Sequence, residues 1–373
     1  MKNSKLNILV VDEDVSNISY FALTALGQVS DISIHVLKAG MRRFDPLRFS
    51  RYISSYWTVK RDSDDNFVET IRNHARATSS TILMPVMENT MKFFSMREKD
   101  LQDFCMIPVV ASIEILNQVT NKWKLHNWLK DRGFPVSKCI LGNAHREELL
   151  QSISLMKFPI LKKPVYGSGG TGIMKFDSSG EVNHYIANVS IQDRDQIIFQ
   201  EYISGTDVDI SALCLNGDIQ YFTIQRGLQS NTLRFSTAIE FIEDENLLSL
   251  SKAIFKKLNY SGIAHLDFRL SKETGQYYLV DFNARFWSSI LGSLEAGINF
   301  PMEYIKTALK EPVKIINYKK LIYRLSGEAI RSFFHFDKKG DIRKSKTIAS
   351  QIKYNLRDPV PSMMSLMIRL TPR

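Results

Sequence analysis

Apolar and polar positions along the first hundred residues follow two rhythms. Short apolar runs, "LNILVVD" (Leu6–Asp12), "ISIHVLK" (32–38) and "STILMPV" (80–86), read as buried strands. Between them, "SNISYFALTALGQ", stopping near Gly27, and "DNFVETIRNHARAT" carry apolar residues at helical spacing. Strands alternating with helices predict a parallel sheet covered on both faces. No G-x-G-x-x-G follows the first strand, so a dinucleotide-binding reading has little support. The loops after the strands, 12–17 and 88–90, are expected at the carboxyl edge of the sheet, where open α/β sheets bind ligands.

The rhythm then changes. "TNKWKLHNWLKDRGFPV" reads as a capped helix closed by Gly133, with Pro135 just beyond. A domain boundary is placed near 112–120. "FPILKKP", "GTGIMKF", "DQIIFQEYI", "DVDISALCL" and "DIQYFTIQR" follow as antiparallel strands joined by short turns. A helix over 246–258 precedes two more strands, "IAHLDFRLS" and "QYYLVDFNA", joined by the hairpin loop "KETG". The expected organisation is an N-terminal α/β domain over 1–115, a strand-rich α+β domain over 116–310 and an extension over 311–373.

Composition narrows the class. A chain of 373 residues with 44% hydrophobic content suits a globular protein of two or three domains. No apolar run reaches the roughly 18–20 residues of a membrane helix, and the N-terminal run reads as a strand, not a signal peptide. Cys105, Cys139 and Cys214 lack metal or disulfide spacing, so buried thiols and a cytoplasmic, reducing location are expected. Charge is uneven. From Lys310 onward there are 15 Lys/Arg against 5 Asp/Glu, leaving 34 of each sign before it, so the tail carries the whole net charge of +10. Such a tail suits an anionic substrate, nucleic acid or membrane surface, or simply a solvated extension.

Three segments carry chemistry. In "ILKKPVYGSGGTGIM" (160–174), glycines let backbone N–H groups approach phosphate oxygens, and Lys163 on the strand before them offers a point charge. A flexible hairpin reads equally well, and the P-loop pattern is absent. In "QEYISGTDVDI" (200–210), backbone groups near Tyr202 and Ile203 suit an adenine edge, and Asp207 suits ribose hydroxyls. A strand, a turn and a solvated acid fit as well. In "HLDFRL" and "LVDFNARF", period two puts Asp281, Asn283 and Arg285 on one face, with Asp267 across the hairpin. Two carboxylates and an amide oxygen form a hard, all-oxygen set that suits Mg²⁺, with Mn²⁺ as its alternate.

Taken in order, these segments resemble the ATP-grasp superfamily over about residues 1–310. They are nearest the branch described as ATP-dependent carboligases, related to the large chain of carbamoyl-phosphate synthetase. The N-terminal α/β domain, the "NKW" helix, the "KP" strand, the glycine loop, the "QEYI-G-D" hinge and the acid followed by "D-x-N-x-R" come in the family's order. The resemblance implies an ATP-grasp fold with small and large subdomains at about 120–205 and 206–310. It also implies ATP and Mg²⁺ as cofactors. Lys122 and Lys163 look like the phosphate-contacting lysines, with Lys162 facing the other way. Gly167, Ser168, Gly169, Gly170, Thr171 and Gly172 look like the loop that closes over the phosphates. Gln200, Glu201, Tyr202 and Ile203 look like the adenine hinge, and Asp207 like the ribose carboxylate. Asp267, Asp281 and Asn283 look like the Mg²⁺ ligands, and Arg285 like the arginine that steadies the transferred phosphoryl group. The family commonly has Glu where Asp281 stands and often Glu or Gln at Asp267, so both acids here are a methylene shorter. Ala284 replaces a usual proline.

The implied chemistry is ligation of a small-molecule carboxylate to an amine through an acyl phosphate, and an anionic envelope-type acid is one candidate substrate. A bicarbonate-activating carboxylase or carbamoyl-phosphate-type enzyme is the second reading, and a non-catalytic nucleotide-binding module is the third. Arg226, Arg234, Ser16, Asn17, Glu88 and Asn89 are candidates for holding the acid or amine. The tail aromatics Tyr323, Phe333, Phe334, Phe336 and Tyr354 form no nucleic-acid motif. "PSMMSLMIRL" (361–370) reads either as an apolar foothold on an anionic membrane or as core packing. A homodimer is kept open.

Overall fold

The computed structural model describes residues 5–13, 17–40, 44–167, 169–228, 236, 238–314, 316–325 and 348–370. Ser16, Ser168, Arg234, Phe333, Phe334 and Phe336, named above, lie outside the described residues.

The N-terminal part is a parallel sheet of β1 (Leu6–Asp12), β2 (Ile32–Ala39), β3 (Ile53–Val59) and β4 (Ile82–Pro85), in the order β3-β2-β1-β4. The central strand β1 is apolar on both faces because both are covered. Leu9 and Val11 pack on Phe67, Val68 and Ile71 of the helix Asp64–Ala77. Ile8 and Val10 face the helix Asn17–Leu26. That second core is continuous with Phe241, Phe282, Trp287 and Tyr304 far along the chain. The first sheet therefore shares its core with the module that follows. β3 is an edge strand, half-exposed, and its apolar pattern is correspondingly diluted. The segment 88–90, expected as a loop, is instead the first turn of a helix, Glu88–Met96. Thr90 Oγ1 accepts from the Met87 N–H at 3.1 Å, satisfying a donor at that helix start.

A small antiparallel sheet follows: β5 (Cys139–Leu141), β6 (Ile160–Pro164), β7 (Met174–Phe176) and β8 (Ile197–Glu201), in the order β5-β8-β6-β7. Leu149 and Ile153 from one helix and Val182 and Ile186 from another close one face of it over Ile160 and Phe199. The glycine loop is the β6–β7 connection.

The third sheet has seven strands: β9 (Gly205–Leu215), β10 (Asp218–Gly227), β11 (Ala238–Ile242), β12 (Gly262–Ser271), β13 (Tyr277–Asn283), β14 (Ile322–Arg324) and β15 (Ile348–Ser350). Their order is β13-β12-β9-β10-β11-β14-β15, so the sheet continues beyond residue 310. Past it, Asp358 accepts from Ser50 Oγ at 2.5 Å and from the Arg51 N–H at 3.0 Å, tying the end of the described chain to the N-terminal part. The helix Pro359–Leu370 lies against the turn Pro46–Phe49 but leaves Met363 and Met367 exposed. No helix among the described residues is long and apolar enough to cross a membrane.

Candidate active site

The β12–β13 hairpin sets the first part of the site. Asp267 lies directly opposite Asp281, and His265 opposite Asn283, so all four side chains share one face. Asn283 Nδ2 donates to Asp267 Oδ2 at 3.1 Å, and Asn283 Oδ1 accepts from Arg285 Nη2 at 2.8 Å. Arg285 is buried, and its other Nη donates to the Phe286 carbonyl at 2.7 Å. This chain of bonds ties Asp267, Asn283 and Arg285 together, while Asp281 Oδ1 accepts from the Phe282 N–H at 3.1 Å. Such a donor set fits a hard divalent cation.

The second part comes from the helix Lys122–Asp131. Asn121 caps it, its Oδ1 accepting from the Lys124 N–H at 2.9 Å. The cap fixes Lys122 at the first position, pointing toward the hairpin. Lys122 Nζ lies 3.1 Å from Asp281 Oδ1 and donates to the Gly167 carbonyl at 2.5 Å. One ammonium therefore touches both the glycine loop and an acid of the hairpin.

Lys163 enters from β6. It is 6% exposed, and its Nζ donates to Gln200 Oε1 at 2.8 Å. Burial pushes its pKa down to about 8, against the attraction of Asp281 and helped by repulsion from Lys122. Lys162 points the opposite way, its Nζ donating to the Gly172 carbonyl at 3.1 Å. Between these residues the loop turns through positive φ at Gly167, Gly169, Gly170 and Gly172, a backbone path that side chains resist. Tyr166 at its base is half-exposed.

Beside Lys122 and Gln200 opens a slot with apolar walls from Leu125, Ile198, Leu279 and Val280, and with His126 in its lining. It is a narrow cleft between β8, β13 and the helix Lys122–Asp131. At the hinge, the Glu201 N–H donates to Lys138 and the Tyr202 N–H to Pro159, while Glu201 Oε1 accepts from the Lys157 N–H. These two backbone donors are thus taken up within the fold, although Tyr202 was read as facing an adenine edge.

Sequence reading missed Arg269. Its guanidinium donates to Asp207 Oδ1 at 2.6 Å, to the Ile203 carbonyl at 2.7 Å, to the Gly205 carbonyl at 2.9 Å and to the Tyr202 hydroxyl at 3.1 Å. It also sits over the Tyr202 ring, 5.0 Å from the centroid. The signal was its place two residues after Asp267, on the same face of β12. Burial raises the Asp207 carboxyl, with Arg269 pulling it down and Asp267 adding to the rise.

Among the residues proposed for the acid or amine, Glu88 reaches this region. Its Oε1 lies 3.9 Å from Arg285 Nε. Burial raises its carboxyl, opposed chiefly by Arg285 and reinforced by Asp281. Arg226 instead pairs with Glu240 at 2.6 Å and is half-exposed.

Residues 119–289 match the ATP-grasp domain family. The chain is 22% identical over 194 residues to D-alanine–D-alanine ligase B of Clostridium tetani, covering 48% of this chain and 54% of that one. It is 26% identical over 225 residues to a carbamoyl-phosphate synthase of Methanobrevibacter smithii, covering 57% and 58%. The chain thus spans little more than half the length of these curated relatives. In three dimensions it is similar to an L-amino acid ligase from Bacillus licheniformis, with a TM-score of 0.61, 16% identity, and 83% of this chain and 75% of that one covered.

Proposed function

Because this chain carries an ATP-grasp domain over residues 119–289, we propose that it is an ATP-dependent ligase joining a small-molecule carboxylate to an amine through an acyl phosphate. The observation that carries the reading is the position of Lys122 Nζ, 2.5 Å from the glycine-loop carbonyl of Gly167 and 3.1 Å from Asp281. A phosphate cover, a phosphate cation and a metal carboxylate would meet at that one atom.

The geometry supports the following roles. The adenine would lie against the 200–203 hinge, with the narrow slot beside Gln200 opening to admit it, and Asp207 would face the ribose. Lys122 and Lys163 neutralise phosphate oxygens, which is worth most where water is excluded. Asp267, Asp281 and Asn283 would hold Mg²⁺, which would supply charge neutralisation to the phosphates. The substrate carboxylate attacks the γ-phosphorus and ADP departs. The amine then attacks the acyl carbon and phosphate departs, with Arg285 placed to steady the charge on the phosphoryl oxygens. Glu88, its carboxyl raised by burial, is placed across from Arg285 to receive the proton the amine loses. The glycine loop shields the acyl phosphate from water.

The test is ADP release across a panel of carboxylates crossed with amines. Asp281→Ala is expected to abolish it while far-UV circular dichroism stays that of the wild type. ADP release at the wild-type rate from that variant would defeat the reading. Stimulation by bicarbonate with no amine present would favour the carboxylase chemistry instead.

A further inference from the structure

A second group of donors lies on the same sheet face, one strand over from the hairpin. In the β9–β12 register, Asp209 stands directly opposite Asp267, and Ser211 opposite His265. One ligand atom each from Asp209, His265 and Asp267 lie within 4.8 Å of one another. His265 Nε2 is 3.0 Å from Asp267 Oδ1, whereas the other oxygen of Asp267 accepts from Asn283. Asp267 therefore faces two ways: Oδ2 toward the all-oxygen set, and Oδ1 toward the imidazole.

His265 is held for that role. Its Nδ1 is 2.9 Å from Ser211 Oγ, and its ring stacks on Trp287 at 5.7 Å and 13°. Serine, histidine and aspartate in hydrogen-bonded sequence have the letters of a nucleophilic triad. Access excludes it: Ser211 is 0% exposed, so no substrate reaches its hydroxyl. What remains is an imidazole whose rear nitrogen is fixed by a buried hydroxyl and whose front nitrogen faces Asp267, with Asp209 close by. That is the arrangement of a histidine metal ligand with its outer partner.

Charge points the same way. Asp209 and Asp267 oppose each other in a partly buried place, and the nearby cations are engaged, Arg269 with Asp207 and Lys122 with Asp281. Gln225 Nε2 donates to Asp209 Oδ2 only at 3.3 Å. Two facing carboxylates in such a place are relieved by a shared proton or by a cation between them, and an imidazole nitrogen at the same point favours the cation.

We propose that Asp209, His265 and Asp267 form a divalent-cation site of their own, sharing Asp267 with the nucleotide's Mg²⁺ set and preferring Mn²⁺ to Mg²⁺. The preference follows from the imidazole nitrogen, which suits a first-row transition ion better than Mg²⁺. With three protein donors, the site takes its ion without nucleotide, unlike a Mg²⁺ held largely by phosphates. The inference deepens the ligase reading, on which it rests for the role of Asp267.

The experiment is a Mn²⁺ titration of the full-length, nucleotide-free protein, followed by electron paramagnetic resonance with Mg²⁺ as competitor. Tight uptake of Mn²⁺ that equimolar Mg²⁺ does not displace is expected. Pulsed measurements on that complex are expected to show coupling to a nitrogen nucleus, a readout that requires no variant. His265→Gln is expected to weaken Mn²⁺ binding by more than the roughly 10–100-fold that loss of an outer partner costs. Absence of uptake, absence of nitrogen coupling, or displacement by equimolar Mg²⁺ would overturn the site. Lys163→Met separates the two ideas. It is expected to lose ATP binding and keep Mn²⁺ uptake, whereas ATP binding at wild-type strength in Lys163→Met would count against the nucleotide reading and leave the Mn²⁺ site standing.

Discussion

Lys163 shows how much a single residue can depend on its surroundings. An ordinary lysine titrates near 10.4, but here burial brings the pKa down to about 8. Between about pH 8 and 10.5 the unfolded chain holds a proton that the folded one has lost. Burying the charged form is therefore a cost, present in full below pH 8 and relieved as pH rises through that window. A polyphosphate docked on the ammonium would restore the charge. Nucleotide binding at pH 8.5 is accordingly expected to take up a proton, read by calorimetry in buffers of different ionisation enthalpy. Lys163→Arg, whose guanidinium stays charged, should bind nucleotide without that uptake. The same uptake in the variant would assign the proton elsewhere. In the sequence, Lys162 and Lys163 were two adjacent cations; strand alternation and the β6–β8 pairing sort one to Gln200 and the other to Gly172.

At the scale of elements, the crossing from the small sheet to the large one hangs on Gly205. A Cβ there would lie 2.0 Å from the Leu270 carbonyl oxygen, which is backbone and has little room to yield. Gly205→Ala is expected to destabilise the fold by about 1–3 kcal/mol, by the logic of overpacking. A denaturant midpoint equal to the wild type's would show that the two strands part at no cost. A glycine inside a strand often marks a place where another backbone comes close. Which backbone approached was not legible, because Leu270 lies 65 residues on and meets Gly205 only through the β9–β12 pairing. The helix Glu88–Met96 was obscured for a related reason. Its cap is a threonine inside the first turn rather than a polar residue before it.

For the whole molecule, the basic stretch past residue 310 does more than its composition suggested. Tyr323 is fully buried, and β14 and β15 extend the large sheet beyond β11. Asp358 is 2% exposed and binds the backbone and hydroxyl of the N-terminal part. A chain cut after residue 310 would leave the β11 edge bare and Phe241 without its cover. It is expected to be insoluble or to lack cooperative thermal unfolding. A soluble truncation that melts cooperatively would make the tail an accessory. Composition could not disclose this, since net charge reports on the surface of a segment, while two three-residue strands, Ile322–Arg324 and Ile348–Ser350, are too short to print a period.

What the sequence determined alone was local: strand–helix alternation at the start, antiparallel strands after it, a glycine-rich connection behind two lysines, and acids spaced to share a face. These depend on periods of two or 3.6 residues, or on residue type alone for the glycines, and the order of side chains states both directly. Only the tertiary structure decided which of these meet. The β12–β13 register set Asp281 opposite Asp267, and the β9–β12 register brought Asp209 and Ser211 beside them. The capped helix carried Lys122 to Gly167 and Asp281, and the shared core brought Glu88 across to Arg285. Strand order and register are settled by packing of apolar faces from distant parts of the chain, and no local pattern contains that information.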